Sequence, residues 1–179
     1  VLDSVEDFYG FWLLSTNNKF EGKTIKLGAD LAVNPVNETT IAAWRNGSQT
    51  PENIWNPIGS SSLPFSGTFD GCGHTISGIY LKDTSEELTY SGLFGVTAVG
   101  SVIRNFRLVD SYFERTGQKS NIAFLGSVVC EARGVVDSVY SNAVLVTDGQ
   151  QAGGIVARLN YIDTNYKEPI EVKNCWFDG

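Results

Sequence analysis

The chain has no methionine, one histidine, three cysteines and five prolines in 179 residues. A single imidazole excludes an H-E-x-x-H zinc site, which needs two histidines one helical turn apart. Any Ser-His-Asp or Cys-His arrangement would have to use His74. That residue lies in Asp70-Gly71-Cys72-Gly73-His74-Thr75-Ile76-Ser77-Gly78, where turn glycines explain the segment without any chemistry. Cys72, Cys130 and Cys175 show no C-x-x-C spacing, and an odd count cannot close into a complete disulfide framework. They read as buried small side chains, and one disulfide plus a free thiol is the other arrangement, which the spacing does not assign. No apolar run approaches the roughly 20 residues of a membrane helix, and the first residues do not form a charged-then-apolar leader. Positive charge is also short, with 13 Lys and Arg against 20 Asp and Glu for a net −7. That balance argues against a nucleic-acid surface, which needs clustered cations. With Val at position 1 and no methionine, the chain is expected to be a processed or excised piece of a longer protein.

Apolar residues make up 42% of the chain and charged ones 18%, enough to bury a core, and the length fits one domain. The opening reads as the one convincing helix. Ser4 with Asp7 forms a capping-box-like start, and Leu2, Val5, Phe8, Trp12 and Leu13 recur at three- and four-residue steps. From Phe20 onward short β-prone runs alternate with Gly, Asn, Asp and Ser. Thr24-Ile25-Lys26-Leu27 and Thr75-Ile76-Ser77-Gly78-Ile79-Tyr80-Leu81 are predicted strands.

Internal repeats decide the predicted architecture. Gly92-Leu93-Phe94-Gly95, Ala123-Phe124-Leu125-Gly126 and Gly154-Ile155-Val156-Ala157 share one pattern, with Gly95, Gly126 and Ala157 each 31 residues apart. A second phrase recurs as Ile103-Arg104-Asn105-Phe106, Val136-Asp137-Ser138-Val139 and Val172-Lys173-Asn174-Cys175. Repeats of this length, built of short strands, must stack to bury their apolar side. The predicted fold is an all-β, right-handed parallel β-helix, with residues 1–19 as an N-terminal capping helix and 20–179 as the solenoid. A β-sandwich is the rival, but it requires no such self-similarity.

At these residues the chain resembles the GLUG-type repeats of bacterial surface proteins, related to repeat regions that accompany IgA-specific metallopeptidases and to gut-bacterial exported proteins. The resemblance runs from about Phe20 to Gly179. It is carried by Trp55-Asn56-Pro57-Ile58-Gly59, Pro64-Phe65-Ser66-Gly67-Thr68-Phe69-Asp70-Gly71, Ser91-Gly92-Leu93-Phe94-Gly95 and Asn174-Cys175-Trp176-Phe177. Cys72 departs from the family's usual Asn, and Ala123 replaces the first glycine of its motif. The resemblance implies an extracellular scaffold and no catalytic residue.

Function is sought in the insertions. Asn34 to Asn53 carries Trp44 and Arg45, and Arg158 to Pro169 carries Tyr161 and Tyr166. Loops on a rigid scaffold often carry function and exposed aromatics suit sugar stacking, so these four residues are the candidate ligand-binding set. The alternative for Trp44 is a plug folded over the solenoid. Trp55 and Trp176 are expected to pack, as are Phe65 and Phe69. No catalytic, cofactor or metal residue is assigned. Asp110, Asp137 and Asp178 lie beside the repeat phrases at differing offsets, and Asp163 with Glu168 is the one loose calcium arrangement considered. The expected function is a non-catalytic module at the bacterial cell surface or outside the cell, a spacer with adhesin-like binding of glycans or host surface proteins. It would continue into further domains and bind no nucleic acid. The alternatives are a carbohydrate-active β-helix enzyme (polysaccharide lyase or glycoside hydrolase) and an accessory domain of a larger exported enzyme.

Overall fold

Stacked in-register apolar residues run the length of the molecule. In a computed structural model, which describes residues 1–86, 89–117, 124–149, 151–160 and 168–179, Ile25, Phe69, Ile103, Val136 and Val172 are successive partners across parallel strands. The first coil contributes β1 (Thr24–Lys26) and β2 (Leu31–Ala32). The second comprises β3 (Thr68–Asp70), β4 (Thr75–Ser77), β5 (Tyr80–Asp83), β6 (Tyr90–Ser91) and β7 (Phe94–Val96). The third has β8 (Val102–Val109), β9 (Tyr112–Arg115), β10 (Phe124–Gly126) and β11 (Val129–Ala132). The fourth has β12 (Val135–Ser141), β13 (Val144–Thr147), β14 (Gln151–Gly153) and β15 (Val156–Leu159), and β16 (Glu171–Lys173) and β17 (Trp176–Phe177) follow.

All the paired strands are parallel and join equivalent parts of neighbouring coils. The result is a triangular β-helix, as the repeats predict. Its largest sheet runs β1-β3-β8-β12-β16, with β2, β4 and β17 extending the same rungs. Three smaller sheets are β5-β9-β13, β6-β10-β14 and β7-β11-β15.

The repeat register differs from the 31-residue alignment. Phe124 pairs with Tyr90 and Gln151, and Gly126 pairs with Gly153, so the stacked glycines are Gly92, Gly126 and Gly153. Core residues set this register, because Phe94, Val129 and Val156 must share one ladder. A Cβ at Gly92 would stand 2.6 Å from the Gly126 carbonyl oxygen, which explains the glycine by close backbone approach. The second phrase stacks as the sequence aligns it, Ile103 with Val136 and Val136 with Val172.

Thr75–Leu81 is likewise not one strand. Gly78, at φ 71°, turns the chain between β4 and β5, and its lack of a Cβ lets the Asn34 backbone lie against it.

An N-terminal helix, α1 (Val5–Ser15), covers the first coil. The Ser4 hydroxyl accepts from the Asp7 N–H at 3.1 Å, and Asp7 Oδ2 accepts from the Asp3 N–H at 3.1 Å. Its buried face is Phe8, Phe11 and Ser15, and Leu13, expected on that face, is 61% exposed. The face is set by aromatic packing. Phe8 stacks on Trp55 with centroids 4.6 Å apart, and Phe11 meets Phe20, Phe65 and Phe69 at 5.1–6.0 Å. Trp55, Phe65 and Phe69 are buried core residues, as their phrases predict. Leu2 adds a parallel bridge to Leu27, so α1 and its leader together cover this edge.

The insertion holds a second helix, α2 (Thr40–Asn46), ended by Gly47 at φ 75°, where the sequence suggested only one helix. It is seven residues long, and its stability comes from packing rather than from its own pattern.

Candidate functional site

Trp44 lies on α2 and is 2% exposed. Its ring meets Tyr80 edge-on at 5.4 Å, and with Tyr112 it forms a small second core against β5 and β9. Trp44 is therefore the plug, and its ring is not offered for stacking. Arg45 faces solvent. Tyr161 and Tyr166 lie outside the described residues, as does Asp163. A cavity of about 590 Å³ opens beside Trp44. The amides on its floor are occupied with the loop itself. Asn34 Nδ2 donates to the Asn53 and Gly78 carbonyls at 2.8 Å each, and Asn53 Nδ2 donates to the Val33 carbonyl at 2.8 Å.

A different surface brings polar and aromatic groups together. At one corner of the large sheet, Cys72, Asn105, Ser138 and Asn174 all adopt left-handed backbone, with φ between 53° and 58°. After this turn the strand alternates. Phe106, Leu108 and Val139 point inward and are buried, whereas Arg107, Tyr140 and Trp176 point outward. The outward residues are register partners, Arg107 with Tyr140 and Tyr140 with Trp176. The Arg107 guanidinium lies 4.7 Å from the Tyr140 ring centroid, and Trp176 is 68% exposed. Together with the corner residues they line an open groove of about 670 Å³.

Trp176 thus corrects the packing role expected of it. The signal was present in the repeats, because Arg107 and Tyr140 stand at the aligned position and a guanidinium there marks an outward face.

The groove's corner is an electrostatic ladder. Lys26, Asp70, Arg104, Asp137 and Lys173 are successive register partners, alternating in sign from rung to rung. Asp70 Oδ2 accepts from Arg104 Nε and faces Arg104 Nη2, both at 3.0 Å. Its Oδ1 accepts from the Cys72 N–H at 2.9 Å and from Asn105 Nδ2 at 3.2 Å. Partial burial pushes the Asp70 carboxyl up, but these hydrogen bonds and the Arg104 charge outweigh it and leave the pKa lowered. Asp137, half-buried, is lowered by hydrogen bonds from Asn174 and Ser138.

Elsewhere, buried ionisable groups are engaged with one another. Glu114 accepts from the Tyr112 hydroxyl at 2.6 Å and from Thr116 at 3.1 Å, and pairs with Lys82 at 2.9 Å. Glu131 pairs with Arg133 at 2.6 Å and accepts from Asn160 at 2.9 Å. Asp110 and Asp178 follow the end of the long strand rung, whereas Asp137 precedes its left-handed turn, so the three acids do not share one position. His74 Nδ1 lies 3.1 Å from Asp30 Oδ1, which also accepts from the Thr75 N–H at 2.8 Å, and this ties two rungs at a turn.

The three cysteines are free. Cys130 is buried, which raises its pKa, and Cys175 is partly so, but Cys72 is exposed at the groove's rim because its left-handed turn points it outward.

No family model and no solved structure matches the chain. It is similar to a protein of Evansella cellulosilytica described as "Putative Gly-rich membrane protein", 33% identical over 85 residues. That match covers 48% of this chain and 9% of the relative, so it spans less than a tenth of that protein's length. Among the described residues of this chain, no helix is long and apolar enough to cross a membrane.

Proposed function

We propose that this β-helix is a non-catalytic, extracellular module of a bacterial surface or secreted protein, a rigid spacer that binds glycans in an adhesin-like manner through the Arg107–Tyr140–Trp176 groove. The observation that carries the reading is the outward row itself. An exposed indole, a tyrosine and a guanidinium stand one rung apart on a sheet braced by continuous parallel pairing. Sugar rings stack on such faces, and preordered groups lose little entropy on binding. The bacterial setting is supported by the GLUG-like phrases and by the likeness to a bacterial protein whose description includes the word membrane. One carboxylate, Asp70, lines the groove, and Arg104, Cys72 and Asn105 engage it, whereas glycoside hydrolysis uses two carboxylates across a cleft.

A glycan and mucin array, read with and without calcium, tests this. Binding is expected, and Trp176→Ala is expected to weaken it by roughly tenfold in Kd. A blank array from folded protein would overturn the binding part and leave the spacer.

A further inference from the structure

We infer that the groove selects acidic glycans, polymers bearing carboxylates such as uronic acids, over neutral ones; this rests on the glycan-binding reading above. Although the chain carries a net −7, the charged groove-lining residue without an ion-pair partner among the described residues is the cationic Arg107. Arg107 stacks on Tyr140 and has no ion-pair partner among the described residues. The groove's carboxylate, Asp70, is already matched by the guanidinium of Arg104 and by two further donors, so it does not cancel Arg107. A guanidinium placed over a ring face leaves N–H groups for a carboxylate, and such charge-assisted pairs are stronger than neutral hydrogen bonds.

The neighbouring groups suit a sugar chain. Asn105 and Asn174 donate their amide hydrogens to Asp70 and Asp137, and this leaves the carbonyl oxygens as acceptors for hydroxyls. Stacked coils repeat at about 4.8 Å, comparable to the advance of one sugar unit, so a polymer lying across the rungs meets Arg107, Tyr140 and Trp176 in turn. A nucleic acid fits less well. It carries a phosphate on every unit against one unpaired cation here, and the overall charge repels it.

Titration calorimetry on the intact chain tests the inference with linear hexamers of mannuronate and of galacturonate. Each is paired with its neutral counterpart made by carboxyl reduction, and a single-stranded hexanucleotide serves as a further probe. At least one uronate is expected to bind about tenfold tighter than its neutral counterpart, with a preference that weakens as salt rises. Arg107→Gln should weaken uronate binding more than neutral binding and bring the ratio near one, whereas Trp176→Ala should weaken both alike and leave the ratio standing. Circular dichroism confirms that each variant is folded. Equal binding of uronate and neutral hexamers would overturn this inference and leave glycan binding standing. Binding of neither would overturn both, and preference for the hexanucleotide would overturn the acidic-glycan assignment.

Discussion

Left-handed backbone at Cys72, Asn105, Ser138 and Asn174 is the feature on which the groove depends. Ordinary side chains pay about 1–2 kcal/mol in this region, whereas asparagine enters it readily. The turn reverses which residues face out, so a two-residue phrase after it sets Arg107, Tyr140 and Trp176 on one surface. Cys72, like Ser138, lacks the side-chain amide that lets asparagine enter this region readily. Cys72→Asn is expected to stabilise the chain by roughly 0.5–1 kcal/mol, seen as a higher urea midpoint with unchanged slope. A lower midpoint would mean that the contact of Cys72 Sγ with the Asp70 carbonyl oxygen, at 3.6 Å, outweighs the backbone gain. Asn105, Ser138 and Asn174 were legible in the sequence as members of a recurring phrase, whereas Cys72 lies outside that phrase. Exposure of Trp176 was not, because an isolated Trp reads as packing until the aligned Arg107 shows which way that position points.

Helix α1 acts as a plug, and aromatic rings do the joining. Phe8 and Phe11 enter the open end of the first coil, against Trp55 and against Phe20, Phe65 and Phe69. Removing the Phe11 ring leaves a cavity that the three surrounding rings, Phe20, Phe65 and Phe69, cannot readily collapse. Phe11→Ala is expected to cost roughly 3–5 kcal/mol, measured by urea unfolding followed through tryptophan fluorescence. A loss under about 1 kcal/mol would show that the helix is an appendage and not a cap. The start of α1 was legible from Ser4 and Asp7, and so were Leu2 and Phe8 as buried residues, but the choice of Phe11 over Leu13 was not, since both satisfy the same periodicity and only the shape of the coil's end separates them. Helix α2 was illegible for a related reason. It is too short to carry a pattern and is held by Trp44 against Tyr80 and Tyr112.

Across the whole molecule, stability should depend on pH at both ends of the scale. Asp70, Asp83 and Glu114 each feel burial pushing their pKa up, and each is held lower overall by hydrogen bonds and nearby cations. Folding therefore favours their ionised forms. Their contribution is complete above the ordinary carboxylate pKa of about 4 and is lost as pH falls through that value to the folded ones. At the other end, burial and then the Glu114 partner raise the Tyr112 phenol, so folding favours its neutral form and stability falls as pH rises through about 10. Buried Cys130, whose thiol is raised by burial, adds to the alkaline loss from the ordinary thiol pKa of about 8.5. The urea midpoint is therefore expected to be flat between about pH 5 and 8 and to drop on either side. A midpoint unchanged down to about pH 3 would contradict the acid limb.

The sequence by itself determined the architecture. Short alternating runs, spaced glycines and recurring phrases leave few ways to bury the apolar side except by stacking, and the second phrase stacks as its residues align. Tertiary structure decided register and exposure. The glycine phrase shifted because the ladder of Phe94, Val129 and Val156 outweighs resemblance between glycines, and parallel pairing tolerates an extra residue at a corner. Trp44 went inside and Trp176 outside because burial depends on what lies opposite in space. Neighbours from other coils, brought within one rung by the parallel sheet, supply that and local sequence does not.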